Sequence, residues 1–170
     1  MAITDANGRP RRLLMICTGN ICRSPAAEAI IRTLSDGSVE VRSRGTDSWN
    51  HGQPAHAPMV RLAAARGYDL ATHRAAKVTE ADLTWADEVL VMQPVHRARL
   101  ARAFPRHTAK VRLLHPDGVP DPYDLDDVHY DQVLDLIERA SRAYLGEAGS
   151  DGRPRQAREA PRRGQVSDAG

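Results

Sequence analysis

Residues 12–25 read RLLMICTGNICRSP, and this stretch decides the architecture. Residues 12–16 form a short, continuous apolar run, the pattern of a strand buried on both faces. Residues 17–23 contain Gly19 and Asn20 and read as a loop. Ser24-Pro25 then opens a helix, with Ser24 as N-cap, Pro25 at the first helical position and Glu28 in the first turns. Ala26, Ala27, Ala29, Ile30, Ile31 and Leu34 supply its apolar face, and Gly37 ends it. A buried strand thus feeds a tight loop and then a helix N-terminus.

The rest of the chain repeats that alternation. Strands are expected at 39–43, 88–92 (EVLVM) and 110–114. Helices are expected at 57–66, 81–85 and 94–103, and a long amphipathic one at 128–145 with Val133, Leu134, Ile137, Ala140 and Tyr144 on one face. Strands that alternate with helices imply right-handed crossovers and a parallel sheet covered on both sides, an α/β fold. Ligands of such sheets bind beyond the carboxyl ends of the strands. Cys17 and the Pro/Gly/Asp loop at 115–121 both lie at such ends.

Composition narrows the function classes. The chain has 170 residues, enough for one domain with a real core. A formal charge of +2 gives no argument for a nucleic-acid partner. No apolar run approaches the roughly 20 residues of a membrane span, and residues 1–12 hold no apolar signal region, so a cytoplasmic location is expected. Cys17 and Cys22 are the only cysteines. They are too few for a disulfide scaffold or an iron–sulfur run, and no histidine pair at finger-like spacing completes a zinc site. Reactive thiol chemistry remains.

Cys17 and Arg23 enclose five residues, a weak pattern by spacing alone but a strong one between a buried strand and a helix. Successive amides of a tight loop form a concave nest for anions, and the helix N-terminus adds free donors. Gly19 is expected to take a backbone conformation that a Cβ resists. Arg23 can grip two phosphoryl oxygens with its planar fork. Cys17, among these dipoles, is placed to act as a thiolate nucleophile toward bound phosphorus. Cys22 reads equally as a packing residue or as the thiol that resolves an oxidised Cys17. Departure of the leaving oxygen needs an acid from another loop. Asp121, between Pro120 and Pro122, is one candidate; Asp117, Asp124 and Asp126 are rivals by spacing.

The stretch CTGNICRSP resembles the signature of low-molecular-weight protein tyrosine phosphatases, and Asp121-Pro122-Tyr123 is similar to that family's general-acid loop. The likeness runs from about residue 13 to 145. It implies a three-layer αβα sandwich, flavodoxin-like, with a four-stranded parallel sheet in the order 2-1-3-4. The phosphatase domain is then expected over 12–146, after an N-terminal extension (1–11) and before a disordered tail (147–170). The resemblance implies Cys17 as nucleophile, Arg23 as phosphate binder and Asp121 as acid, then base. Thr18, Gly19, Asn20, Ile21, Cys22 and Ser24 would complete the phosphate loop. Asn20, Ser24, Ser43 (in Ser43-Arg44-Gly45-Thr46) and His73 (in His73-Arg74-Ala75-Ala76) would form a network supporting it. Trp49 and Tyr123 would wall the substrate cleft, although Trp49 alone also reads as a core residue. No metal or cofactor is required. The implied partner is a tyrosine-phosphorylated protein, a cognate tyrosine kinase among the candidates.

The departures are Asp124, where a second aromatic often follows the tyrosine, Gln93, where an acid often stands, and Arg44 in place of a small residue. An arsenate reductase of this fold would need cysteines beyond Cys22. An arginine phosphatase typically carries Thr where Ile21 stands. A silent phosphate-binding module would not need Cys17, Arg23 and Asp121 together.

Overall fold

The computed structural model describes residues 3–151, apart from the side chains of 150 and 151. Four strands form one parallel sheet: β1 (Arg11–Cys17), β2 (Val39–Gly45), β3 (Glu88–Val91) and β4 (Val111–Leu113). Their order is β2-β1-β3-β4, the flavodoxin-like arrangement expected from the resemblance. The helices are α1 (Arg23–Leu34), α2 (Ala57–Ala65), α3 (Glu80–Trp85), α4 (Pro94–Ala103) and α5 (Asp127–Asp151). A 3-10 turn over Pro105–Lys110 leads into β4.

The period of two along β1 divides the core in two. Leu13, Met15 and Cys17 face the larger cluster, with Ile30 and Ile31 of α1, Met59 and Ala63 of α2, and Tyr130, Leu134 and Ile137 of α5. Leu14 and Ile16 face the smaller one, with Leu83 of α3, Leu100 of α4, and Val89, Val91 and Val111. Each fully buried side chain of this size contributes roughly 1.5–3 kcal/mol relative to exposure. β1 is therefore the spine of the molecule, and it ends at Cys17.

Most expected elements are observed within one or two residues of their bounds. α1 differs in an instructive way. It opens at Arg23 with Cys22 as N-cap, so Ser24 is not the cap. No side chain caps this N-terminus, and the Ser24 hydroxyl turns inward to the loop instead. α1 stops at Leu34, and Asp36 (φ 48°) and Gly37 (φ 73°) make the left-handed exit. Within the expected extension, Ile3 is buried in the larger core, Thr4 bridges Pro10, and Arg11 opens β1. α5 continues past Leu145 to Asp151, with Ala148 buried on its apolar face. Residues 152–170 of the expected tail lie outside the described residues.

Candidate active site

Register sets the site before any side chain is considered. Cys17 at the end of β1 sits beside Gly45 of β2, and Met15 beside Ser43. The loop leaving Cys17 is then held from outside, carbonyl by carbonyl. The Cys17 carbonyl accepts from the Thr46 amide (2.9 Å) and the Thr18 carbonyl from the Asp47 amide (3.1 Å). The Gly19 carbonyl accepts from Asn50 Nδ2 (3.2 Å), the Asn20 carbonyl from His73 Nε2 (2.7 Å) and the Ile21 carbonyl from the His56 amide (2.8 Å). With five consecutive carbonyls drawn outward, the loop's amides are left to line its concave side, and the uncapped N-terminus of α1 adds its own donors.

The left-handed residue of this loop is Asn20 (φ 56°), not Gly19. Gly19 matters sterically, since a Cβ there would lie 2.6 Å from Asn50 Nδ2. The stricter constraint is Gly45, whose added Cβ would meet the Thr18 backbone carbonyl at the same 2.6 Å.

Asn20 is fully buried and organises the support. Its Nδ2 donates to Ser24 Oγ (2.8 Å) and Ser43 Oγ (3.1 Å), and its Oδ1 accepts from the Ala76 amide (2.9 Å). Ser24 Oγ lies 3.0 Å from Cys17 Sγ, and the Asn20 amide donates to that sulfur at 3.3 Å. Ser43 in turn donates to Glu28 Oε2 (2.6 Å). The structure thus brings together the four support residues expected from the sequence and adds Glu28. Burial pushes the His73 pKa down, which fits its role as an Nε2–H donor to a carbonyl.

Arg23 is 2 % exposed. Its Nη1 donates to Gln93 Oε1 (2.6 Å) and the Val119 carbonyl (3.0 Å), and its Nη2 lies 3.4 Å from Asp121 Oδ2. Gln93 therefore supplies an acceptor where an acid was expected. The Asp121 loop docks on the end of β3 through Val119 N to the Met92 carbonyl (2.6 Å), and Asp121 Oδ1 accepts from the Tyr123 amide (3.2 Å).

Cys17, Thr18, Gly19, Ile21, Cys22, Arg23, Trp49, Asn50, Asp121 and Tyr123 line one cavity of about 200 Å³. Trp49 is 77 % exposed, so it is a cavity wall rather than a core residue. Tyr123 packs at a tilt of 37° against the His56 ring (centroids 5.0 Å apart), and His56 Nδ1 pairs with the hydroxyl of buried Tyr130 (2.7 Å). Cys22 packs in the larger core, 4.0 Å from that hydroxyl, and burial followed by the neighbouring Cys17 pushes its pKa up to about 12. Of Asp121's rivals, Asp124 has φ 62° and Asp126 pairs with His129. Neither they nor Asp117 line the cavity. Arg44 points away into an ion pair with Asp82 (3.1 Å).

Glu28, Asn50, His56 and His96 touch this assembly without having been singled out for it from the sequence. Their partners lie 15 to 78 residues away, and no local pattern marks them.

Known proteins match this geometry. A low molecular weight protein-tyrosine-phosphatase of Streptomyces coelicolor is 34 % identical over 150 residues, covering 79 % of this chain and 91 % of that protein. The solved structure of Vibrio vulnificus Wzb in complex with benzylphosphonate superposes with a TM-score of 0.78 at 28 % identity, covering 81 % of this chain and 98 % of that one. The YwlE arginine phosphatase of Geobacillus stearothermophilus gives the same TM-score at 26 % identity, over 84 % and 95 % of the two chains. The family model described as low molecular weight phosphotyrosine protein phosphatase matches residues 12–154, and the chain belongs to that family.

Proposed function

We propose that this chain hydrolyses phosphotyrosine in proteins through a phosphocysteine intermediate. The observation that carries the reading is the meeting, in one cavity, of the Cys17 sulfur, the amide-lined loop, Arg23 and Asp121. The phosphoryl group sits in the loop against Arg23, whose fork matches two of its oxygens. Cys17 Sγ attacks phosphorus as the bond to the tyrosine oxygen breaks, and Asp121 gives that oxygen a proton. Water then attacks the S–P bond, Asp121 takes its proton, and inorganic phosphate leaves with the thiolate restored. Ser24 Oγ and the Asn20 amide, both at the sulfur, stabilise the charge it regains. Thr18, Gly19, Asn20, Ile21, Cys22 and Ser24 form the cradle, Ser43 and His73 support it, and Trp49 and Tyr123 flank the ring.

The substrate is a tyrosine-phosphorylated protein, and a cognate tyrosine kinase is the partner we favour. Two free thiols fit a reducing compartment, which the cytoplasm supplies. Phosphoarginine is the second reading, favoured by the YwlE likeness. Apolar Ile21, which lines the same cavity as Trp49 and Tyr123, favours an aromatic ring instead. Phosphate release from phosphotyrosine, phosphoserine and phosphoarginine peptides tests the assignment. Wild type is expected to prefer phosphotyrosine, Cys17→Ser to lose turnover while still binding oxyanions, and Asp121→Ala to slow release. Preference for either other peptide refutes it.

A further inference from the structure

We infer that His96 is a positioning residue that turns the Thr18 hydroxyl into an extra donor of the phosphate cradle and ties it to Arg23. His96 is fully buried at the start of α4, across the sheet end from the loop. Its two ring nitrogens have different partners. Nδ1 accepts from the Gln93 amide at 3.0 Å, and Nε2 lies 2.8 Å from Thr18 Oγ1. A backbone N–H can only donate, so Nδ1 carries no proton. In the neutral ring the proton is then on Nε2, and Nε2–H donates to Thr18 Oγ1. Burial and the nearby Arg23 hold the ring neutral.

One consequence is for Thr18. Its oxygen is an acceptor toward His96, so its own proton points elsewhere, and among the described residues it has no other partner. Thr18 lines the cavity beside Cys17 and Arg23. A hydroxyl proton at that wall is free for a phosphoryl oxygen, adding a side-chain donor to the amide nest. A second consequence is for Arg23. The same ring fixes the Gln93 backbone, and Gln93 Oε1 holds Arg23 Nη1 at 2.6 Å. One imidazole therefore sets the position of two phosphate-binding groups that lie on different elements.

This inference rests on the phosphatase reading, and the test separates the two. Full-length protein is assayed for aryl phosphate turnover and for competitive inhibition by inorganic phosphate. Thr18→Val keeps the side-chain shape and removes the donor. It is expected to weaken phosphate inhibition roughly ten-fold, as loss of one hydrogen bond to a charged group does. Thr18→Ser restores it. His96→Phe is expected to cost at least as much, and adding Thr18→Val to it to cost little more, because the two act through one hydrogen bond. Nitrogen-15 spectra of the wild-type imidazole are expected to show the Nε2–H tautomer at neutral pH, with that resonance shifting on phosphate binding. Wild-type turnover with unchanged phosphate inhibition in Thr18→Val overturns this inference, as does an Nδ1–H tautomer. No turnover in wild type fails the phosphatase reading itself. Thr18→Val keeps the test decisive even if His96→Phe does not fold.

Discussion

Replacing Asn20 with alanine is the most searching perturbation of the loop. The change removes three side-chain hydrogen bonds, to Ser24, Ser43 and the Ala76 amide, all fully or partly buried. At about 1 kcal/mol net each, they amount to about 3 kcal/mol. Alanine must also hold φ near 56°, where a Cβ without a local hydrogen-bonding group costs about 1 kcal/mol. The total is about 4 kcal/mol. In a chain of this size 1 kcal/mol shifts Tm by roughly 2–4 °C, so a drop of about 8–16 °C is expected. Thermal unfolding followed by far-UV circular dichroism reads the Tm drop, and a urea midpoint shift at constant slope reads the free energy. Asn20→Gly loses the same bonds without the left-handed penalty, and its stability is expected between wild type and Asn20→Ala. Turnover of an aryl phosphate should fall at least ten-fold in both, because Ser24 Oγ is no longer held beside Cys17 Sγ. A loss below about 1 kcal/mol in Asn20→Ala, or Asn20→Gly less stable than Asn20→Ala, refutes the account.

Gly45→Ala places a Cβ 2.6 Å from a backbone oxygen of the loop, so kcat is expected to fall on the order of 100-fold while circular dichroism stays native-like; steady-state kinetics check it. Arg23→Lys keeps the charge but loses the planar fork held by Gln93 and Val119, and kcat/KM should drop by about 100-fold or more in the same assay. The His96 ring has a pKa of about 4 against an ordinary 6.5, because burial and then Arg23 oppose its cation. Between those values the unfolded chain binds a proton that the folded chain excludes, so this group's stabilisation falls as pH drops from 6.5 toward 4, by about 3 kcal/mol in full. Urea midpoints at pH 7 and 4.5 are expected to differ more in wild type than in His96→Phe. Cys22, its pKa pushed up to about 12, should stay unalkylated by iodoacetamide at pH 7 in the folded protein, as peptide mass mapping reads.

Cys17 and Arg23 stood out because a thiol and a guanidinium enclose a loop that leaves a buried strand and enters a helix, whereas Asp121 stood level with Asp117, Asp124 and Asp126 by spacing and only the family resemblance singled it out. The sheet was legible because apolar runs such as 12–16 and 88–92 allow little else. Ser24 misled for a physical reason. Ser-Pro is local helix-start grammar, but the hydroxyl's partners, Asn20 and Cys17, are chosen by the fold. Gly19 drew the left-handed conformation on propensity, whereas Asn20 takes it because its amide group is bonded on three sides. The end of α5 was set too early because Gly146 costs only about 1 kcal/mol in a helix, and burial of Ala148 on the core face works against that cost. Glu28 and His96 were beyond local reading, since each is defined by a contact with a distant segment, Ser43 for Glu28 and Thr18 for His96; Gln93 was marked only through the resemblance, and its bond to Arg23 came from the fold.

The girdle of donors around the loop carries a lesson about portability. Thr46, Asp47, Asn50, His56 and His73 grip five carbonyls in succession, and they come from two segments outside the loop, 46–56 and the stretch around His73. The string CTGNICRS transplanted alone onto another strand–helix junction would keep its letters and lose the hands that hold it open. Its carbonyls would be free to rotate inward, where they repel an oxyanion.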